Sequence, residues 1–146
     1  MSFVENDIGL SRDGQTIAIM SDAPASETKH AIELIPVNGG AARAINYELA
    51  YSTQTPYFAG DAIVFLGNVN GPHANVANPT DLFVVSSSGG APRNLTSTDS
   101  MSDVDEVVVS PDGRTIAYQA ELSPKSTHII DVDVNSAARA KPKAKP

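Results

Sequence analysis

Apolar residues in this chain come in short bursts, most of them entered from a glycine and closed by turn-forming residues. Thr16–Met20, Ala62–Leu66 and Thr115–Gln119 are rich in β-branched and aliphatic side chains, and each follows a glycine closely. A second set, Ile32–Val37, Asp81–Ser86 and His128–Val134, ends near turn residues. Shorter runs follow at Arg43–Ile45 and Arg93–Thr96, and Asp7–Leu10 and Glu106–Val109 lead into the first set. Bursts of this length, punctuated in this way, predict strands. No segment holds a 3.6-residue apolar period over three turns, so no helix is predicted.

The bursts repeat. Ser11-Arg12-Asp13-Gly14-Gln15-Thr16-Ile17-Ala18 returns as Ser110-Pro111-Asp112-Gly113-Arg114-Thr115-Ile116-Ala117, and Phe58-Ala59-Gly60-Asp61-Ala62-Ile63-Val64-Phe65 is a worn relative. Val37-Asn38-Gly39-Gly40-Ala41-Ala42-Arg43 matches Ser87-Ser88-Gly89-Gly90-Ala91-Pro92-Arg93. Gly39 and Gly89 are 50 residues apart, which allows four short strands per unit. Such a period describes propeller blades. The prediction is therefore an all-β fold, a partial β-propeller of about three four-stranded blades. It occupies residues 1–138, with blades at roughly 3–46, 49–97 and 103–140. Residues 139–146 form a basic Lys/Pro tail, expected to be disordered. Closed propellers usually have four to eight blades. About three leave strand edges open, which predicts completion by missing chain or by self-association.

The repeated glycines have a structural reading. Pro111 sets φ for the first corner of a turn, Asp112 can bond its own backbone, and Gly113 accepts positive φ. Asp13 and Gly14, with Ser110 as the counterpart of Ser11, do the same work. Gly39-Gly40 and Gly89-Gly90 suit hairpins. None of these sets opens a helix, so phosphate cradling is not expected.

Charge narrows the partners. Residues 1–138 hold all 17 acids and six of the ten bases, a net charge of −11. An acidic body argues against nucleic-acid backbones as partners. The absence of cysteine excludes disulfides and thiolate chemistry. No stretch approaches the ~20 apolar residues of a membrane helix. The opening residues lack a signal-peptide pattern, so a cytoplasmic location is expected.

Candidate chemistry is sparse. His30, His73 and His128 lie at non-equivalent places without metal-ligand spacing, and read as surface or half-buried side chains. The acidic run Asp99, Asp103, Asp105, Glu106 and Asp112 is oxygen-rich enough for Ca²⁺, yet lacks the spacing of a calcium loop. Asp131 and Asp133 alternate in a predicted strand and share one face. Asn94-Leu95-Thr96 fits the glycosylation pattern, but it is also part of the repeat. No catalytic, metal or cofactor site is assigned. The longest polar loop, 67–80, is the candidate recognition surface, through Asn68, Asn70, His73, Asn75 and Asn78.

Ser110-Pro111-Asp112-Gly113-Arg114-Thr115-Ile116-Ala117-Tyr118, with Leu82-Phe83-Val84-Val85 and Gly89-Gly90-Ala91-Pro92-Arg93-Asn94-Leu95-Thr96, resembles the WD40-like repeat of TolB-type propellers. It is most similar to the N-terminal propeller of prolyl-oligopeptidase-family serine peptidases, the acylaminoacyl-peptidase group. The resemblance covers nearly the whole chain except the tail. It implies a non-catalytic segment that filters access to an α/β-hydrolase domain. That domain's Gly-x-Ser-x-Gly elbow is missing here, the nearest string being Gly9-Leu10-Ser11-Arg12-Asp13. No hydrolytic activity is expected of the chain alone. The alternative is a TolB-like module binding protein partners without an enzymatic domain. Either reading implies a protein or peptide partner, no nucleic acid and no membrane.

Overall fold

Turns of the repeated type fold each unit back on itself, so strands that follow one another in sequence become neighbours. A computed structural model describes residues 8–22, 29–49, 51–68, 80–96, 104–120 and 126–131. Strands β1 (Ile8–Leu10), β2 (Thr16–Asp22), β3 (Lys29–Pro36) and β4 (Arg43–Glu48) make the first sheet in that order. Strands β5 (Tyr51–Ala59), β6 (Ala62–Asn68), β7 (Asp81–Ser86) and β8 (Arg93–Asn94) make the second. Strands β9 (Val104–Val109), β10 (Thr115–Ala120) and β11 (Ser126–Asp131) make the third. All pairings are antiparallel. The described residues contain no helix, and the three meanders are blades of a partial β-propeller, as predicted.

Two details differ from the sequence reading. Strand β5 lacks the apolar alternation of the other strands and carries Pro56, which argues against a central strand. It forms because β5 is an edge of its own sheet, where a missing N–H costs no ladder bond, and its pairing with β6 shifts register between Thr53 and Tyr57. Strand β11 begins two residues before the predicted 128–134 run, and residues 132–134 lie outside the described residues. Its extent follows from pairing with β10, from Thr115 opposite Asp131 to Ala120 opposite Ser126.

The core lies between the blades. Ala18, Ile32, Leu34, Ile45 and Tyr47 of the first blade pack on Ile63, Phe65, Phe83 and Val85 of the second. The opposite face of the second blade, with Ala62, Val64, Leu66, Leu82 and Val84, packs on Val104, Val107, Ile116 and Tyr118 of the third. Alternate residues of β6 and β7 therefore serve different neighbours. All seven residues of β6 are buried, which is why that strand reads as a continuous apolar run.

Candidate functional site

The first strands of the three blades, β1, β5 and β9, lie side by side, β1 against β5 and β5 against β9. Gly9 lets β1 approach β5 closely, since a Cβ there would stand 1.9 Å from the carbonyl oxygen of Pro56. The three strands flank a cavity of about 440 Å³. Its walls include Ile8, Leu10, Thr55, Phe58, Val108 and Val109, and among the described residues no charged side chain lines it. Ile8, Leu10 and Val108 are 65%, 58% and 65% exposed. Large aliphatic side chains left this open form a surface that gains by covering an apolar ligand. Among the described residues the wall carries hydroxyls at Thr55 and Tyr57 and no acid, base or charged nucleophile. These side chains suit contact with an apolar ligand.

The turns at the blade ends are locked alike. The Ser11 hydroxyl donates to Asp13 Oδ1 (2.7 Å), and the backbone N–H of Gln15 donates to the same oxygen (3.0 Å). The N–H of Thr16 in turn donates to Ser11 Oγ (2.8 Å). In the third blade Ser110 donates to Asp112 (2.6 Å), Arg114 N–H to Asp112 (3.1 Å) and Thr115 N–H to Ser110 Oγ (2.9 Å). The serine hydroxyl first, and the backbone N–H second, hold both aspartates below the usual carboxylate range. Ser11, the nearest approach to a nucleophile elbow, is thus a turn fastener. A depressed carboxylate pKa makes a stabilisation that is present above the ordinary aspartate range and lost as pH falls through the lowered value. Replacing Ser11 and Ser110 together by alanine should flatten the acid limb of stability. Thermal melts across that limb, wild type against double variant, measure it; parallel curves would remove these locks as its cause.

The Asn94-Leu95-Thr96 phrase has a comparable task, missed by sequence reasoning. Asp81 is buried at the start of β7. Asn94 Nδ2 donates to its Oδ2 (2.7 Å) and Thr96 Oγ1 to its Oδ1 (2.6 Å). The N–H of Leu82 donates to Thr96 Oγ1 (3.1 Å), so the phrase ties β7 to the segment after β8. The available signal was an aspartate opening an apolar strand, followed by an amide in the next strand and a hydroxyl just after it. Burial first, and the Asp81 charge second, raise the pKa of Tyr118 on the neighbouring blade.

Other candidates are dispersed. Asn68 is 1% exposed at the end of β6, so it belongs inside the sheet and not to a recognition surface. A strand-terminal asparagine next to a polar loop gives no warning of that burial. Asn70, His73, Asn75 and Asn78 lie outside the described residues, as do Asp99, Asp103, Asp133 and the 139–146 tail. His30 is buried in β3, not at the surface, with its ring 5.7 Å from that of Tyr47. Gly14, Gly39, Gly40, Gly89, Gly90 and Gly113 all have positive φ, as their turns require. Among the described residues no cluster of His, Cys, Asp or Glu is arranged to hold a metal, and no helix is long and apolar enough to cross a membrane.

The class defined by these sheets and their arrangement is the β-propeller. The chain is similar to two variants of the Synechocystis apocarotenoid oxygenase, at TM-scores of 0.56 and 0.55 and 13% and 12% identity. Each match covers 94% of this chain and 38% of the oxygenase, so the chain spans well under half of that protein's length. At this identity the likeness concerns the fold. No protein-family model and no curated protein sequence matches the chain.

Proposed function

We propose that this chain is a non-catalytic propeller segment that governs the admission of peptide to a catalytic domain, as in serine peptidases of the prolyl-oligopeptidase type. The observation that carries the reading is the cavity between β1, β5 and β9, whose described lining is uncharged. A peptide entering there buries side chains against Ile8, Leu10 and Val108, and an uncharged wall imposes little sequence preference. The Ser110-Pro111-Asp112-Gly113 phrase supports the same reading. A second reading, a TolB-like module for a protein partner, is favoured by the rigid, exposed turns at Asp13 and Asp112, which are suited to presenting loops.

Titration with a short apolar peptide, followed by amide chemical shifts, separates the two. Passage predicts shifts at Leu10, Thr55 and Val108, abolished by Thr55→Arg with the melting temperature unchanged. Shifts confined to the turns or to loop 67–80 favour the interaction module. No hydrolysis of peptide or acyl-peptide by the chain alone is expected. Turnover blocked by a serine-directed covalent inhibitor would overturn the non-catalytic reading.

A further inference from the structure

The two outermost blade faces are not ordinary surfaces. In the second blade Phe58, Ile63, Phe65, Phe83 and Val85 pack on the blade before it. In the third blade Val107, Val109, Ile116 and Tyr118 do the same. Strand register identifies the corresponding residues of the first blade. Leu10 opposite Ile17 matches Phe58 opposite Ile63 and Val109 opposite Ile116. Ile17 opposite Ile35 matches Ile63 opposite Val85, and Ile19 opposite Glu33 matches Phe65 opposite Phe83. Ile8, opposite Ile19, matches Val107 opposite Tyr118. The first blade thus carries a blade-facing set, Ile8, Leu10, Ile17, Ile19 and Ile35, that no described residue of this chain covers as the other two sets are covered.

The far side of the third blade follows the same register. Val108, Ala117 and Gln119 stand where the first blade has Gly9, Ala18 and Met20, which face the second blade. Val108 is 65% exposed there. The two free faces also carry a matched exchange of apolar for polar. Glu33, accepting from Ser21 Oγ at 3.3 Å, occupies the position of Phe83. Gln119 occupies the position of Met20, which packs on the cluster containing Phe83. Stacking in the same register would bring the Gln119 amide to the face that carries the Glu33 carboxylate.

We infer that the occupant of the free face is a second copy of this chain, whose third blade stacks on the first blade in the register already used twice within the chain. The contact runs through blade faces, not through open sheet edges. It is heterologous, and two such contacts related by a two-fold axis close on themselves as a ring of about six blades, within the usual four to eight. The stacked faces include Ile8, Leu10 and Val108, which also wall the cavity, so the two readings are told apart by Gln119→Glu and Thr55→Arg, which lie outside that shared set.

Native mass spectrometry of the full chain tests it. The expected species is a dimer of the 15.3 kDa chain. Gln119→Glu should weaken that dimer by about tenfold or more, because like charges then face each other across the contact. Adding Glu33→Gln to that variant should restore it. Ile19→Lys should give a monomer with an unchanged far-UV circular dichroism spectrum. A wild-type chain that stays monomeric with full β content overturns the inference, as does a dimer indifferent to Gln119→Glu. Loss of peptide binding with the dimer intact would count against the admission reading alone.

Discussion

Phe65→Ala is expected to lower stability by about 3–5 kcal/mol, the usual cost of deleting a buried aromatic side chain. Phe65 is 0% exposed, at the centre of β6. Its ring lies 5.0 Å from that of Tyr47 on the first blade and 5.8 Å from that of Phe83 beside it. These separations suit favourable aromatic geometry, so the loss combines transfer, cavity and ring–ring contributions. The same ring joins two blades, so the truncation weakens the blade contact as well as the sheet. Total stabilities of domains run to about 5–15 kcal/mol, and a loss of this size is a large share. Urea unfolding followed by circular dichroism measures it as a fall in midpoint. Phe65→Leu, which leaves a smaller void, should fall less. A change under about 1 kcal/mol for Phe65→Ala would mean that the first two blades are not packed through this ring.

Gly113→Ala should cost clearly more than Gly14→Ala, although both glycines occupy the same turn. Their φ angles are 72° and 69°, so the strain of an L side chain in the left-handed region, about 1–2 kcal/mol, is common to both. Their surroundings are not. A Cβ on Gly14 meets nothing within 4 Å, whereas one on Gly113 would stand 2.3 Å from the Gly60 nitrogen and 2.9 Å from the Ala59 carbonyl carbon. Backbone atoms of the second blade cannot yield as a flexible side chain can, so the turn must withdraw from its neighbour. Overpacking of this kind typically adds about 1–3 kcal/mol. The difference between the two variants therefore isolates the blade-to-blade contact from the turn itself. Equal losses would mean that the turn of the third blade does not rest on the turn of the second.

The contrast between these glycines shows what a sequence alone can reveal. Asp13-Gly14 and Asp112-Gly113 are equivalent as letters, and the turn they make was legible because its hydrogen bonds span only five residues. The different neighbours of the two glycines come from distant parts of the chain. Asn68 and His30 escaped for a related reason: polar residues beside a loop or at a strand start read as surface, and their burial depends on the blade packed over them. Asp81 read only as the first residue of a predicted strand, and its bonding role came when Asn94 and Thr96 were brought to it. The cavity was not foreseen, because Ile8, Thr55 and Val108 are far apart in sequence and meet only when the first strands of the three blades lie side by side.

The sequence by itself determined the local order of this protein. Glycine-bearing turns, strand-length apolar runs and their repetition every 50 residues predict meandering sheets arranged as blades, since each depends on backbone preference and near neighbours. Only the tertiary structure decided which blade each face meets. In β6 and β7 both faces are covered, the alternation that would label them is erased, and the assignment of Ile63 and Phe65 to one neighbour and Val64 and Leu66 to the other rests on contacts between sheets.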